Sequence, residues 1–195
     1  MSNQANTINT FLMMGRPGSG KGTQAALLAE RLGGGVYSSG ARLRQMAATG
    51  SHFGEKAKVV MSSGGLMPIW VSQYLFEDEL VRLEPSGVVV FEGSCRIKEE
   101  AERFHEVLEW LERPYKVIYI DVPEEILIER LHKRSEALGR ADDSKEVLAE
   151  RFAKFTTLTT QSIEYFKSQA KLVTINGNQS PEAVQADILK ALNLA

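Results

Sequence analysis

Cysteine is almost absent. Cys95 stands alone among 195 residues, so no disulfide can close within the chain, and no Cys/His spacing of the kind that holds zinc is present. The three histidines, His52, His105 and His132, are scattered and make no metal cluster. An excess of either charge is lacking too. Lys and Arg number 23 against 25 Asp and Glu, for a formal net charge of −2. A nucleic-acid binder usually carries a basic excess, so no nucleic-acid partner is expected, although net charge leaves room for a local basic pocket. Long apolar runs are missing as well. The run Phe11 to Met14 stops at Gly15, far short of a secretory core, and no stretch approaches the roughly 18 apolar residues that span a bilayer. These absences predict a cytoplasmic chain without a membrane partner. Repeats, low-complexity tracts and Pro- or Ser-rich linkers are also lacking, so residues 1–195 read as one domain, with no sign of an obligate partner; a monomer is expected.

Short apolar runs alternating with longer amphipathic stretches are what the chain does contain. Hydrophobic residues make up 43%, enough for a sizeable core. Ile8 to Met14 reads as a first strand. Ala25, Leu28, Ala29 and Leu32 recur at helical spacing and predict a helix closed by Gly33-Gly34-Gly35. A short strand is expected near Val36-Tyr37. Val88 to Phe91, Lys116 to Asp121 and Lys171 to Ile175 are unbroken runs rich in β-branched residues, as in strands covered on both faces. The alternation predicts an α/β fold with a parallel sheet between helices.

The densest signal is Gly15-Arg16-Pro17-Gly18-Ser19-Gly20-Lys21-Gly22-Thr23, lying after the first strand and opening the first helix. Glycines let backbone N–H groups wrap a polyphosphate, the helix N-terminus adds partial positive charge, and Lys21 adds a full one. Gly18, Ser19, Gly20, Lys21, Gly22 and Thr23 are therefore the candidate phosphate cradle. One departure matters: the general motif places Ser or Thr directly after the lysine to meet Mg²⁺, whereas here Gly22 stands there and Thr23 follows, a weak metal candidate.

The ending Gly-Lys-Gly-Thr-Gln resembles the adenylate kinase family and the related UMP/CMP kinases. The likeness continues in order through Ser38-Ser39-Gly40, Glu92-Gly93 with Arg96, Asp121-Val122-Pro123, Arg130 with Arg134, Gly139 to Asp143, and Arg151, covering about residues 9 to 190. It implies a P-loop fold with a five-stranded parallel sheet, a helical segment for the nucleoside monophosphate at about 38–67, and a lid at about 134–142. Only Ser135 to Gly139 separate Arg134 from Arg140, which matches the short-lid form without a zinc site.

The resemblance implies a nucleoside-monophosphate kinase with ATP as donor, AMP as the default acceptor, and Mg²⁺. Phosphoryl transfer to an ionised phosphate oxygen needs fixed cations rather than a general base. Lys21, Arg96, Arg134, Arg140 and Arg151 would be the catalytic cations, with Arg130 and Arg134 on the ATP side. Arg130 and Arg134 are four apart and share a helix face, and Arg151 shares one with Leu148 and Phe155. Ser39, Gly40, Arg44, Met67, Gly93, Arg96 and Glu100 would hold the acceptor, and Glu92 would reach the metal through water. Asp142-Asp143 read as partners of lid arginines rather than metal ligands, and His105 and His132 as structural residues.

The acceptor side departs from the family pattern. Ala41 replaces an aspartate, Glu92-Gly93-Ser94-Cys95-Arg96 replaces Asp-Gly-Phe-Pro-Arg, Leu66-Met67-Pro68-Ile69 replaces Leu-Val-x-Asp, and Glu100 falls where adenylate kinases have a base-reading glutamine. A carboxylate only accepts hydrogen bonds, whereas adenine presents a donor and an acceptor, and guanine two donors. Glu100 therefore either shifts preference toward GMP or is a solvated helix residue outside the base site. Two rival functions stay open: kinase action on another small molecule, and a nucleotide-sensing module without turnover.

Overall fold

The computed structural model describes the backbone of residues 8–138 and 145–194 and the side chains of 8–131 and 147–194. In chain order the described elements are β1 (Thr10–Met14), α1 (Lys21–Leu32), β2 (Gly35–Ser38), α2 (Ser39–Ala47), α3 (His52–Ser62), α4 (Ile69–Arg82), β3 (Val89–Glu92) and α5 (Lys98–Trp110). There follow β4 (Tyr115–Asp121), α6 (Glu124–Leu138), α7 (Lys145–Lys154), a π-turn (Phe155–Thr159), α8 (Thr160–Ser168), β5 (Leu172–Asn176) and α9 (Pro181–Ala191).

Successive strand side chains point to opposite faces, and here both faces are apolar. Phe11 and Met13 of β1 join Val90, Ile118 and Ile120 beneath Leu28, Leu127 and Ile188 of α1, α6 and α9. Leu12 and Met14 join Phe91 and Val117 beneath Phe76, Phe104 and Phe166 of α4, α5 and α8. Phe104 is the hub of the second layer, edge-on to Phe76, Phe91, Tyr115 and Phe166 at 5.3–6.5 Å between ring centres. Parallel sheets occur almost only where both faces are covered, as here. The five strands are parallel throughout, in the order β2-β3-β1-β4-β5. The α/β class and the strand count match the expectation from the sequence. The strand ends differ by a residue or two, the first starting at Thr10 rather than Ile8.

One boundary needs correcting. Of the three glycines expected to close α1, Gly33 (φ 66°) and Gly34 do so, donating to Glu30 and Ala29 carbonyls. Gly35 instead opens β2 opposite Val89.

The N-terminal edge of the sheet is pinned by Arg113. Its guanidinium is buried and donates to the Thr10 hydroxyl and to the carbonyls of Glu84 and Gly87. The opposite edge, where the C-terminal ends of β1, β3 and β4 lie side by side, is left for the loops. Ligands bind at that edge in open α/β sheets.

Candidate active site

The loop after β1 is shaped by close approaches. Gly15 cannot carry a side chain, because a Cβ there would stand 2.5 Å from Ser19 Oγ and 2.8 Å from the Ile120 carbonyl. Gly18 (φ 83°) is pressed against α6, where a Cβ would meet Leu131 at 3.0 Å. Gly20 (φ 91°) and Gly22 face open space, so the mouth of the loop is clear where backbone N–H groups would receive a phosphate. Ser19 is buried, and its hydroxyl has no hydrogen-bond partner among the described residues. Lys21 Nζ donates to the Arg16 carbonyl at 3.0 Å.

A second loop leaves β3. Glu92 ends the strand and accepts from the Ser38 hydroxyl, which also caps α2 by accepting from Ala41 N at 3.2 Å. Ala41, standing where a carboxylate was expected, thus contributes its backbone N–H. Gly93 (φ 82°) brings this loop onto the start of α2, where a Cβ would lie 2.7 Å from Ser39 Oγ. Arg96 follows, its Nε donating to the Gly93 carbonyl at 2.9 Å.

Glu100 is not solvated. It is 3% exposed and its Oε2 accepts from Arg96 N at 2.8 Å, with Ser72 nearby also favouring its charged form. Desolvation pushes its carboxyl above the usual range, against the lowering effect of these donors. This overturns the alternative that Glu100 is a solvated helix residue.

These two loops, the α3–α4 connection and residues of helices α1 to α7 line a cavity of about 420 Å³. Its wall carries Gly18, Gly20, Gly22 and Thr23 from the first loop and α1, and Ser39, Gly40, Met67, Gly93 and Glu100 from the other side. Lys21, Arg44, Arg96, Arg130 and Arg151 bring five cationic side chains to this wall, against the carboxylates of Glu92 and Glu100. Arg130 is oriented by the Gly177 carbonyl at 3.0 Å. Arg151 reaches the wall from α7, and Gly64 packs onto it so closely that a Cβ there would stand 3.3 Å from Arg151 Cγ. The backbone of Arg134 lies on α6, one turn beyond Arg130, but its side chain is outside the described residues, as is that of His132. Arg140, Asp142 and Asp143 lie wholly outside them. His105 bonds the Tyr115 hydroxyl at 2.7 Å, away from the cavity.

Lys154 and Thr159 carry no signal in the sequence, and Phe155 is marked there only as sharing a helix face with Arg151. Lys154, Phe155 and Thr159 line a narrower cleft shared with Lys21, Arg96 and Arg151. Phe155 takes the Arg16 guanidinium over its ring at 5.7 Å, and the Thr159 hydroxyl donates to the Arg96 carbonyl at 2.9 Å. No motif marks Thr159, because the π-turn breaks the periodicity by which a helix face is read.

A cluster of fixed cations between a glycine cradle and a second anion pocket can bind a polyphosphate and a smaller phosphate face to face, and can stabilise charge passing between them. The family model for adenylate kinase matches residues 13–171. "Adenylate kinase 1" of Synechocystis sp. is 36% identical over 181 residues, covering 92% of this chain and 95% of its own. The adenylate kinase of Caulobacter vibrioides is 36% identical over 183 residues (93% and 96%), and that of Thermus thermophilus 34% over 187 (94% and 96%).

Proposed function

The chain belongs to the adenylate kinase family, and from that membership we propose that it transfers the γ-phosphoryl group of ATP to AMP, giving two ADP. The observation that carries the reading is the meeting of Lys21, Arg96 and Arg151 in one cavity between the glycine loop and the β3–α5 loop. An AMP phosphate oxygen is ionised near neutral pH, so the site needs no base; it needs positioned cations. In this reading the 18–23 loop holds the donor's phosphates with Lys21 and Arg130. Ser39, Gly40, Arg44, Met67, Gly93 and Arg96 hold the acceptor, and Arg151 steadies the transferring group. Arg134 and Arg140 complete the cation set from the lid at about 134–142. The segment at about 38–67 and that lid are the parts that close and exclude water, so that ATP is not hydrolysed.

Mg²⁺ belongs to the proposal. The donor set fits it: Glu92 presents a carboxylate at the phosphate end of the cavity, with Thr23 a weaker second, and Mg²⁺ keeps most of its waters when held by one carboxylate and substrate phosphates. When bound it would supply charge neutralisation on the phosphates. A monomer working in the cytoplasm completes the reading. Among the described residues no helix is long and apolar enough to cross a membrane.

One observation favours a second acceptor. Glu100 is buried and lines the acceptor side of the cavity, so GMP, whose base offers two adjacent donors, is the alternative to AMP. An ADP-coupled assay with ATP and AMP, GMP, CMP, UMP or dAMP tests both. AMP turnover is expected, and ADP formation from none of the five would leave a binding module in place of an enzyme.

A further inference from the structure

We propose that Thr159 is a positioning residue for Arg96 and that the π-turn is what brings it there. The inference rests on the functional reading above and deepens its acceptor side.

Arg96 sits in a loop, where no helix or strand ladder fixes its peptide groups. Side chains do so instead. Glu100 Oε2 accepts its N–H at 2.8 Å and the Thr159 hydroxyl donates to its carbonyl at 2.9 Å, while the Gly93 carbonyl takes Nε at 2.9 Å. Backbone and guanidinium are thus tied at three points. Thr159 and Glu100 are 7% and 3% exposed, so water cannot readily replace either partner. Arg96 lines both the main cavity and the narrower cleft, facing Lys21 and Arg151.

The π-turn explains how a residue eight positions beyond Arg151 reaches this place. On an uninterrupted α-helix Thr159 would stand roughly 80° round from Arg151. A turn closed five residues on rather than four is wider and rotates the following residue back toward the Arg151 face. The same turn begins with Phe155, which takes Arg16 of the glycine loop over its ring and stacks on Tyr119. One short segment therefore contacts the donor loop through Phe155 and the acceptor loop through Thr159, directly after the helix that carries Arg151.

The test compares wild type with Thr159→Val, which keeps the shape and removes the donor, and Thr159→Ser, which keeps the donor. KM for AMP and for ATP is measured separately, with melting temperature alongside. The Val variant should raise KM for AMP about fivefold to tenfold, the size of one lost hydrogen bond, with KM for ATP within about twofold and the Ser variant near wild type. An unchanged KM for AMP overturns the proposal. Equal increases in both KM values alongside a fall in melting temperature, or no recovery with Ser, overturn it too, since they describe a merely structural hydroxyl. A second readout needs no turnover: the Arg96 Nε–H resonance should exchange faster with solvent in the Val variant than in the other two. If wild type made no ADP from any nucleoside monophosphate, the functional reading would fall, and an unaltered Arg96 signal would separately sink the positioning role.

Discussion

Lys21 Nζ donates to the carbonyl of Arg16, 3.0 Å away in the same loop. That bond ties the ammonium to its own loop, and a phosphate oxygen would bring it the opposite charge that a backbone carbonyl lacks. Replacing Lys21 by Met removes the charge and keeps much of the apolar stem. Turnover should fall by about 10²–10³ or more, the scale of losing one electrostatic stabiliser of the transition state. The circular dichroism melt should stay near wild type. A variant keeping a tenth of the activity would show that the charge at this position is not used.

Glu92 tests the proposed Mg²⁺ site. Its carboxylate is held by the Ser38 hydroxyl at the end of the neighbouring strand, so Glu92→Gln can keep that bond while losing the charge. The Mg²⁺ concentration for half-maximal rate should rise about tenfold, as outer-shell changes typically cost 10–100-fold in metal affinity. Titration of ADP formation against Mg²⁺ at fixed ATP measures it, and an unmoved midpoint would place the metal elsewhere.

The contrast between Arg151 and Thr159 marks what the sequence makes legible. Strands such as Val89–Glu92 are visible because burial on both faces demands unbroken apolar residues. The glycine loop is visible because close backbone approach excludes side chains, as at Gly15. Arg151 can be read from its α-helical spacing with Leu148. Thr159 cannot, because the π-turn shifts the register by which faces are counted and nothing local announces it. Glu100 is the intermediate case: its position is readable, but whether it is solvated depends on Ser72, 28 residues earlier, and on the Arg96 peptide.

Arg113 supplies a prediction away from the cavity. It is 7% exposed, makes no ion pair among the described residues, and donates only to a hydroxyl and to carbonyls at the sheet's N-terminal edge. Burial alone lowers its pKa from the ordinary arginine value. Arg113→Met leaves those carbonyls without a donor and should destabilise the fold by about 2–3 kcal/mol, the range for hydrogen bonds to a charged group. Arg113→Lys should recover little, since one ammonium cannot reproduce the guanidinium fork. Chemical denaturation measures the loss. KM for both substrates should stay put, and a change in either would mean the sheet edge communicates with the site.

If Glu100 reads the acceptor base as proposed, it would link acceptor choice to pH. Desolvation raises its folded pKa above that of the unfolded chain, so the folded state holds this proton more tightly. Its contribution to stability is present below the unfolded carboxyl range, about pH 4.3, and is lost as pH rises through the raised folded value. Glu100→Gln lacks this titration, so its stability relative to wild type should climb with pH across that window. On the proposed reading the same proton would decide which base fits. A neutral carboxyl offers one donor and one acceptor, as an amide does, and suits adenine; the carboxylate accepts only and suits guanine. The ratio of kcat/KM for GMP to that for AMP should therefore rise with pH in wild type and stay flat and lower in the Gln variant. Both acceptors carry the same phosphate, whose own titration cancels in the ratio. A wild-type ratio that ignores pH, with AMP favoured throughout and no change on Glu100→Gln, would leave Glu100 as a cap for Arg96 and nothing more.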